Sequence, residues 1–246
     1  MGHLALGYIL SKTSSKVLKT NFNIPTILML SVIPDIDLLI PFLEHRGLTH
    51  SIVIASIVFI PIFAIYRKKA TPYFIALIQH SLIGDYLVEG KTQLLFPLTT
   101  QHYGIGLSIQ SQTSIALEWA AFLVSMLVML AVKDIKIFFQ PHDSNLILVI
   151  PTFTVVLPTF LSFPLDVPSW LIIPHLIYMC LFSTAIIIAI IPFLKRALNA
   201  LGIHKFWFNV ENKKIRDLVL RLHFSSYPPE NRLNTRRNSI AKSLGG

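Results

Sequence analysis

Carboxylates and imidazoles stand inside stretches of this chain that are otherwise apolar enough for lipid. Asp35 and Asp37 interrupt LSVIPDIDLLIPFL, His80 and Asp85 interrupt IALIQHSLIGDYL, and Glu118 sits in SIALEWAAFLV. An unpaired Asp at mid-bilayer costs about 2.5–3.5 kcal/mol on insertion scales. Asp35, Asp37, Asp85 and Glu118 together would cost on the order of 10 kcal/mol if nothing compensated them, which rivals the stability of a whole domain. Such groups must face a shared polar interior, water or a cation.

The surrounding apolar runs set the fold class. A transmembrane helix needs roughly 20 mostly apolar residues. Six stretches approach that length, at 24–43, 51–66, 72–88, 115–132, 146–163 and 170–194. The second is short and requires tilt or a thinned bilayer. Only 13% of the residues are charged, about half the usual share in a soluble domain. That is too little to cover a water-facing surface. The single cysteine, Cys180, excludes an intrachain disulfide. The expected architecture is an all-α polytopic membrane bundle of about six transmembrane helices, with a short N-terminal helix over residues 2–11. Lysines follow that first apolar stretch instead of preceding it, unlike a secretory signal.

Basic residues mark one side of the bundle. Lys12, Lys16 and Lys19 precede the first span, Arg67 to Lys69 follow the second, and Lys133 and Lys136 follow the fourth. By the positive-inside rule these ends are cytoplasmic, and loops 44–50, 89–114 and 164–169 face outward. The net charge is +9, of which residues 195–246 carry +8, with 11 Lys/Arg and 3 Asp/Glu. The chain therefore divides into a membrane domain, 1–197, and a basic cytoplasmic tail, 198–246. Within the tail, Ile215, Leu218, Val219 and Leu222 follow i, i+3, i+4, i+7 spacing. This predicts a juxtamembrane amphipathic helix over 211–224 lying on anionic lipid headgroups, with a disordered end after it. No groove-reading motif or aromatic-basic platform accompanies the charge, so a nucleic-acid partner is not expected.

Between the first two spans lies EHRGLTHS, residues 44–51. His45 and His50 flank Arg46 and Gly47, and Thr49 or Ser51 can cap the next helix. With Asp35, Asp37 and Asp85 near the outward ends of their spans, these imidazoles form a ligand set for a divalent metal. Zinc is the first choice, with manganese or iron as alternatives. Glu118 falls in the same layer, although a carboxylate at a helix start also suits the interface. His3 lies about half a bilayer from the cytoplasmic lysines at 1.5 Å per residue and reaches that layer too. His80 and Asp85, five residues apart, point about 140° apart on a regular helix. They share one site only if the helix is irregular near Gly84.

In order along the chain, Gly2-His3, PDID (34–37), HRGLTHS (45–51), a His-bearing helix ending in Asp85, LLFPL (94–98) and Glu118 resemble a known family. It is the membrane-bound metal-dependent hydrolases of the YdjM type, grouped with zinc-dependent phospholipase C and S1/P1 nuclease. The resemblance covers residues 1–135. It implies phosphoester hydrolysis at a cluster of metals, with His3, Asp35, His45, His50, His80, Asp85 and Glu118 as ligands. One departure stands out: the family places His four residues before the Asp, where this chain has Ser81. A local bulge at His80 would restore the match.

These readings converge on a membrane-embedded hydrolase acting on a small-molecule or lipid phosphoester, with the site toward the outer face of the cell membrane. Metal-activated water would be the nucleophile, with Asp37, or Asp35 in exchanged roles, as its base. Arg46 would hold phosphate. The alternatives are a proton or metal-ion transporter, since intramembrane acids also mark ion pathways, and a metal-stabilised scaffold.

Overall fold

The computed structural model describes residues 1–40, 42–88, 91–163 and 166–200. The chain divides into two compact units, Met1–Pro192 and Phe193–Gly246. In the second, only residues 193–200 are described, as helix. The amphipathic helix expected at 211–224 and the disordered end lie outside the described residues.

Among the described residues the structure is helical, without strands. Seven α-helices follow in order: α1 (Gly2–Leu18), α2 (Ile24–Leu30), α3 (Ile52–Tyr66), α4 (Thr71–Gln79), α5 (Gln112–Ala131), α6 (Val149–Leu161) and α7 (Ile172–Ala200). Their starts carry the expected chemistry. Asn23, Ser51 and Ser111 accept the backbone N–H of Thr26, Ile54 and Ser114, capping α2, α3 and α5. Helix α1 ends where Lys19 turns left-handed, at φ 51°.

Among the described residues, three helical stretches are long and apolar enough to cross a membrane: Gln112–Ala131, Asp143–Leu161 and Ser169–Leu198. Their outer faces carry exposed Leu127, Phe160 and Ile187, as lipid contact requires. The first three stretches of the six-span expectation fall short of that length. After α2 the backbone turns at Val32 into a 3₁₀ segment, Ile33–Leu39, because Pro34 cannot donate its N–H to a continuing helix. Helix α3 has 15 residues, about 22 Å at 1.5 Å each. Helix α4 gives way at His80 to a π turn, His80–Asp85.

The N-terminal helix is also longer than the expected 2–11, because Lys12 has a partner inside the fold. Lys12 Nζ donates to Asp134 Oδ2 at 2.5 Å, and the Tyr8 hydroxyl donates to the same oxygen at 2.8 Å. Helix α1 is therefore central. It buries Leu4, Tyr8, Ser11 and Ser15 along one face and packs against α4 and α5. The core continues through Phe122, Met129, Tyr178 and Phe182, with the Phe122 and Tyr178 rings 5.6 Å apart, edge to face.

Chain direction sorts the polar groups. His3 opens α1, whereas Lys16 closes it. His50 and Ser51 precede α3, and Arg67 to Lys69 follow it. His80 and Asp85 close the α4 segment. The imidazoles and carboxylate of His3, His50, His80 and Asp85 thus collect at one end of these helices, and Lys16 and Arg67 to Lys69 lie at the other.

Candidate metal centre

The 3₁₀ segment after α2 aims two carboxylates in different directions. Asp37 turns into the loop that follows. His45 Nδ1 lies 3.0 Å from its Oδ1. The Arg46 N–H and the Thr49 hydroxyl donate to Oδ2 at 3.1 and 2.7 Å, and His50 Nδ1 lies 3.2 Å from the same oxygen. Asp37 is buried and organises residues 45–50. Arg46 pays for this loop with a left-handed backbone, φ 66°, a conformation that is strained for a bulky side chain and concentrates at functional sites. At Gly47 an added Cβ would approach the Glu44 carbonyl oxygen to 3.1 Å, so a larger residue needs the loop to give by a few tenths of an ångström.

Asp35 points the other way. Its Oδ1 lies 3.2 Å from His80 Nε2 and 3.5 Å from His50 Nε2. Asp85 completes the arrangement, with Oδ2 3.2 Å from His50 Nε2 and 3.5 Å from His80 Nε2. The π turn makes this convergence work. One extra residue per turn brings positions five apart onto one face, as four apart on an α-helix, and such bulges favour functional sites. His80 Nδ1 is 2.7 Å from the Ser31 carbonyl oxygen. The carbonyl can only accept, so Nδ1 carries a proton, which leaves Nε2, the nitrogen facing the carboxylates, as the one a metal would take, the outer-shell arrangement typical of a metal-ligating histidine.

His3 arrives from α1. Its ring stacks on His80 with centroids 3.9 Å apart, and its Nε2 is 3.7 Å from Asp85 Oδ1. Gly84 makes room: a Cβ there would fall 2.2 Å from the His3 ring atoms Cε1 and Nδ1. Gln79 Nε2 donates to the His3 carbonyl at 3.0 Å, anchoring the start of α1 to α4.

Three overlapping groups result, each with ligand atoms within 4.8 Å of one another: His3, His80 and Asp85; Asp35, His50 and His80; Asp37, His45 and His50. The donor set fits a divalent cation. His50 Nε2 and Asp85 Oδ2 are buried and pair as ions at 3.2 Å in a geometry that makes no hydrogen bond for either atom; buried polar atoms are rarely left so. Burial alone would push His50 down, but the carboxylates of Asp35, Asp37 and Asp85 outweigh it and push the imidazole up to about 11. The same negative surroundings favour a cation.

Six of the seven residues read as ligands, and both residues read as catalytic, meet in this cluster or its loop. Glu118 is not brought into the three groups; its carboxylate accepts the Gly2 N–H at 2.6 Å, and a Cβ at Gly2 would fall 2.5 Å from Glu118 Oε1, so the carboxylate would have to swing away. His142 and His175 lie elsewhere, the first on Ser144 and the second on Thr159. Of the two residues read as possible caps, Ser51 caps α3 and Thr49 holds Asp37. A hydroxyl beside a histidine was the available signal.

A cavity of about 640 Å³ opens beside the cluster. His3, Asp35, His45, Arg46, Asp85 and Glu118 contribute to its lining, and most of the remaining wall is apolar, from α1, α5, α6 and the start of α7.

The model of the YdjM inner membrane protein family matches residues 1–162, about two thirds of the chain. No curated protein and no solved structure matches the sequence.

Proposed function

We propose that this chain, which belongs to the YdjM inner membrane protein family, is a membrane-embedded metal-dependent hydrolase cleaving a phosphoester of an amphiphilic substrate. The observation that carries this reading is the convergence of His3, Asp35, His50, His80 and Asp85 beside a largely apolar cavity that also reaches Arg46. These five residues hold the metal, zinc first and manganese or iron otherwise, and His45 with Asp37 extends the set. A bound divalent cation supplies a positive charge that polarises a phosphoryl oxygen and makes water more acidic.

The chain's own residues do the rest. Arg46 binds the phosphate through its planar guanidinium and stabilises the charge that develops on it. Asp37 has both oxygens engaged by the 45–50 loop, so it positions. Asp35 faces His50 and His80 through Oδ1 and lines the cavity, so its other oxygen takes the water proton in place of Asp37. His80 is held by Ser31 so that Nε2 faces the cluster. Glu118 stays on Gly2 and fixes the start of α1.

In the membrane, segments 24–43, 51–66 and 72–88 complete six crossings beside the three long helices, with tilt or local thinning absorbing their shortness. The basic ends and the tail lie on the cytoplasmic side, the tail on anionic headgroups, and the site lies toward the outer face. The test is turnover of a phosphomonoester and phosphodiester panel by purified protein supplied with zinc, manganese or iron. Release of alcohol or phosphate that Asp35→Asn abolishes supports the reading. Metal flux into liposomes without hydrolysis would favour a transporter.

A further inference from the structure

The cavity beside the cluster has an unusual wall. Several of its apolar lining residues are also surface residues: Leu39 is 63% exposed, Leu117 46% and Phe153 57%. Leu117 belongs to α5, and Phe153 to α6. Both helices fall in stretches long and apolar enough to cross a membrane. Exposed residues of the cavity wall thus lie on faces that meet hydrocarbon, and Ala121, Thr154 and Leu157 line the cavity with them. Its volume is in the range of ligand sites, about 300–1,000 Å³. Its charged and imidazole groups belong mainly to the metal cluster and Arg46. A polar end and a long apolar end in one membrane-facing cavity match a molecule with a phosphate head and a hydrocarbon tail.

We infer that the cavity is an acyl-chain site that opens sideways to the bilayer between α5 and α6, and that the substrate is a membrane phospholipid whose phosphate reaches Arg46 and the cluster while its chain lies along Ala121, Phe153 and Leu157. This rests on the proposed hydrolase reading for the phosphate end only. The chain site stands on the cavity itself. Ala121 and Leu157 then set chain length. For a short-chain analogue taken up from water, each methylene that enters the cavity strengthens binding by about four-fold until the cavity is full, whereas a chain drawn from the bilayer leaves hydrocarbon and gains no such factor.

The test uses the full chain in phosphatidylglycerol vesicles carrying a photoactivatable phospholipid with a diazirine in mid-chain. Labelled positions are mapped by peptide mass spectrometry. Leu127 and Phe160 are exposed outside the cavity and report ordinary bilayer contact. The expected result is labelling of 117–121 and 150–157 that Leu157→Trp removes while labelling at Leu127 and Phe160 persists. Ala121→Leu, a smaller intrusion, serves as the second variant. Cavity labelling that is indifferent to both substitutions, or labelling confined to the outer faces, overturns the inference. The two readings separate cleanly. Cavity labelling without turnover of any phosphoester removes the hydrolase and keeps the chain site. Turnover of water-soluble phosphoesters with a KM independent of chain length, and no cavity labelling, does the reverse.

Discussion

His80 and Asp85 lie five residues apart in the chain, yet His80 Nε2 comes within 3.5 Å of Asp85 Oδ2 because the helix between them makes a π turn. That turn also places Gly84 under the His3 ring, where any side chain would collide. One local irregularity thus positions three groups of the cluster.

Gly84→Ala should therefore act through His3. The new methyl displaces the ring, and metal affinity should fall by about 10- to 100-fold, the usual loss when support for a ligand is removed. His3→Ala should cost a similar factor. The double variant should lose little more than either single one, because coupled residues are not additive. Competition titrations against a metal chelator measure this, and fully additive losses would show that Gly84 does not act on His3.

Thr49 donates to Asp37 at 2.7 Å and its oxygen lies 3.0 Å from His50 Nδ1. Thr49→Val keeps the shape and removes the hydroxyl. We expect a loss of about 1.5–3 kcal/mol in stability from the lost hydrogen bond to a charged acceptor, together with weaker metal binding. Thr49→Ser should restore both. Thermal unfolding with and without metal reads the effect, and a Val variant that matches wild type would remove Thr49 from the site.

The pH dependence follows from His50. Its ordinary value is 6.5, and in the metal-free fold it is pushed up to about 11. The stabilisation from its proton is fully present below pH 6.5 and disappears as the pH rises through about 11. A cation bound at Nε2 must displace that proton, so apparent metal affinity should rise by about tenfold per pH unit between 7 and 10. Calorimetric titration at pH 8 in two buffers of different ionisation enthalpy should show about one proton released per chain. No release would place the cation away from His50.

Topology can be tested at the connection before α7. A reporter inserted at residues 166–169 should signal an exterior location, because the basic residues lie at the opposite helix ends. A cytoplasmic signal would invert the arrangement and put the cluster on the inner side.

The cluster was legible because its residues are costly in apolar sequence: Asp35, Asp37, His80 and Asp85 needed partners, and HRGLTHS brought two imidazoles beside them. The π turn was legible only as a mismatch, since a spacing of five fits no regular helix and propensity carries no mark for an added residue. Helix α1 was read too short because Lys12 and Lys16 looked like an end, whereas Lys12 pairs with Asp134, a partner 122 positions away. Glu118 had the residue type and layer of a ligand, but its contact is the Gly2 backbone, which no side-chain pattern encodes. Three of the six apolar stretches have membrane-crossing length as helices. Hydropathy did not register the break after α2 at Pro34 or the one after α4 at His80.

The central claim is that this cluster binds metal, and the most direct measurement is metal content per chain by elemental mass spectrometry on detergent-purified protein. Wild type and His142→Ala should each carry near-stoichiometric zinc, manganese or iron, since the His142 ring bonds Ser144 away from the cluster, and His50→Ala should lose it. Equal metal in all three proteins, or none in wild type after the ions are supplied, would contradict the account.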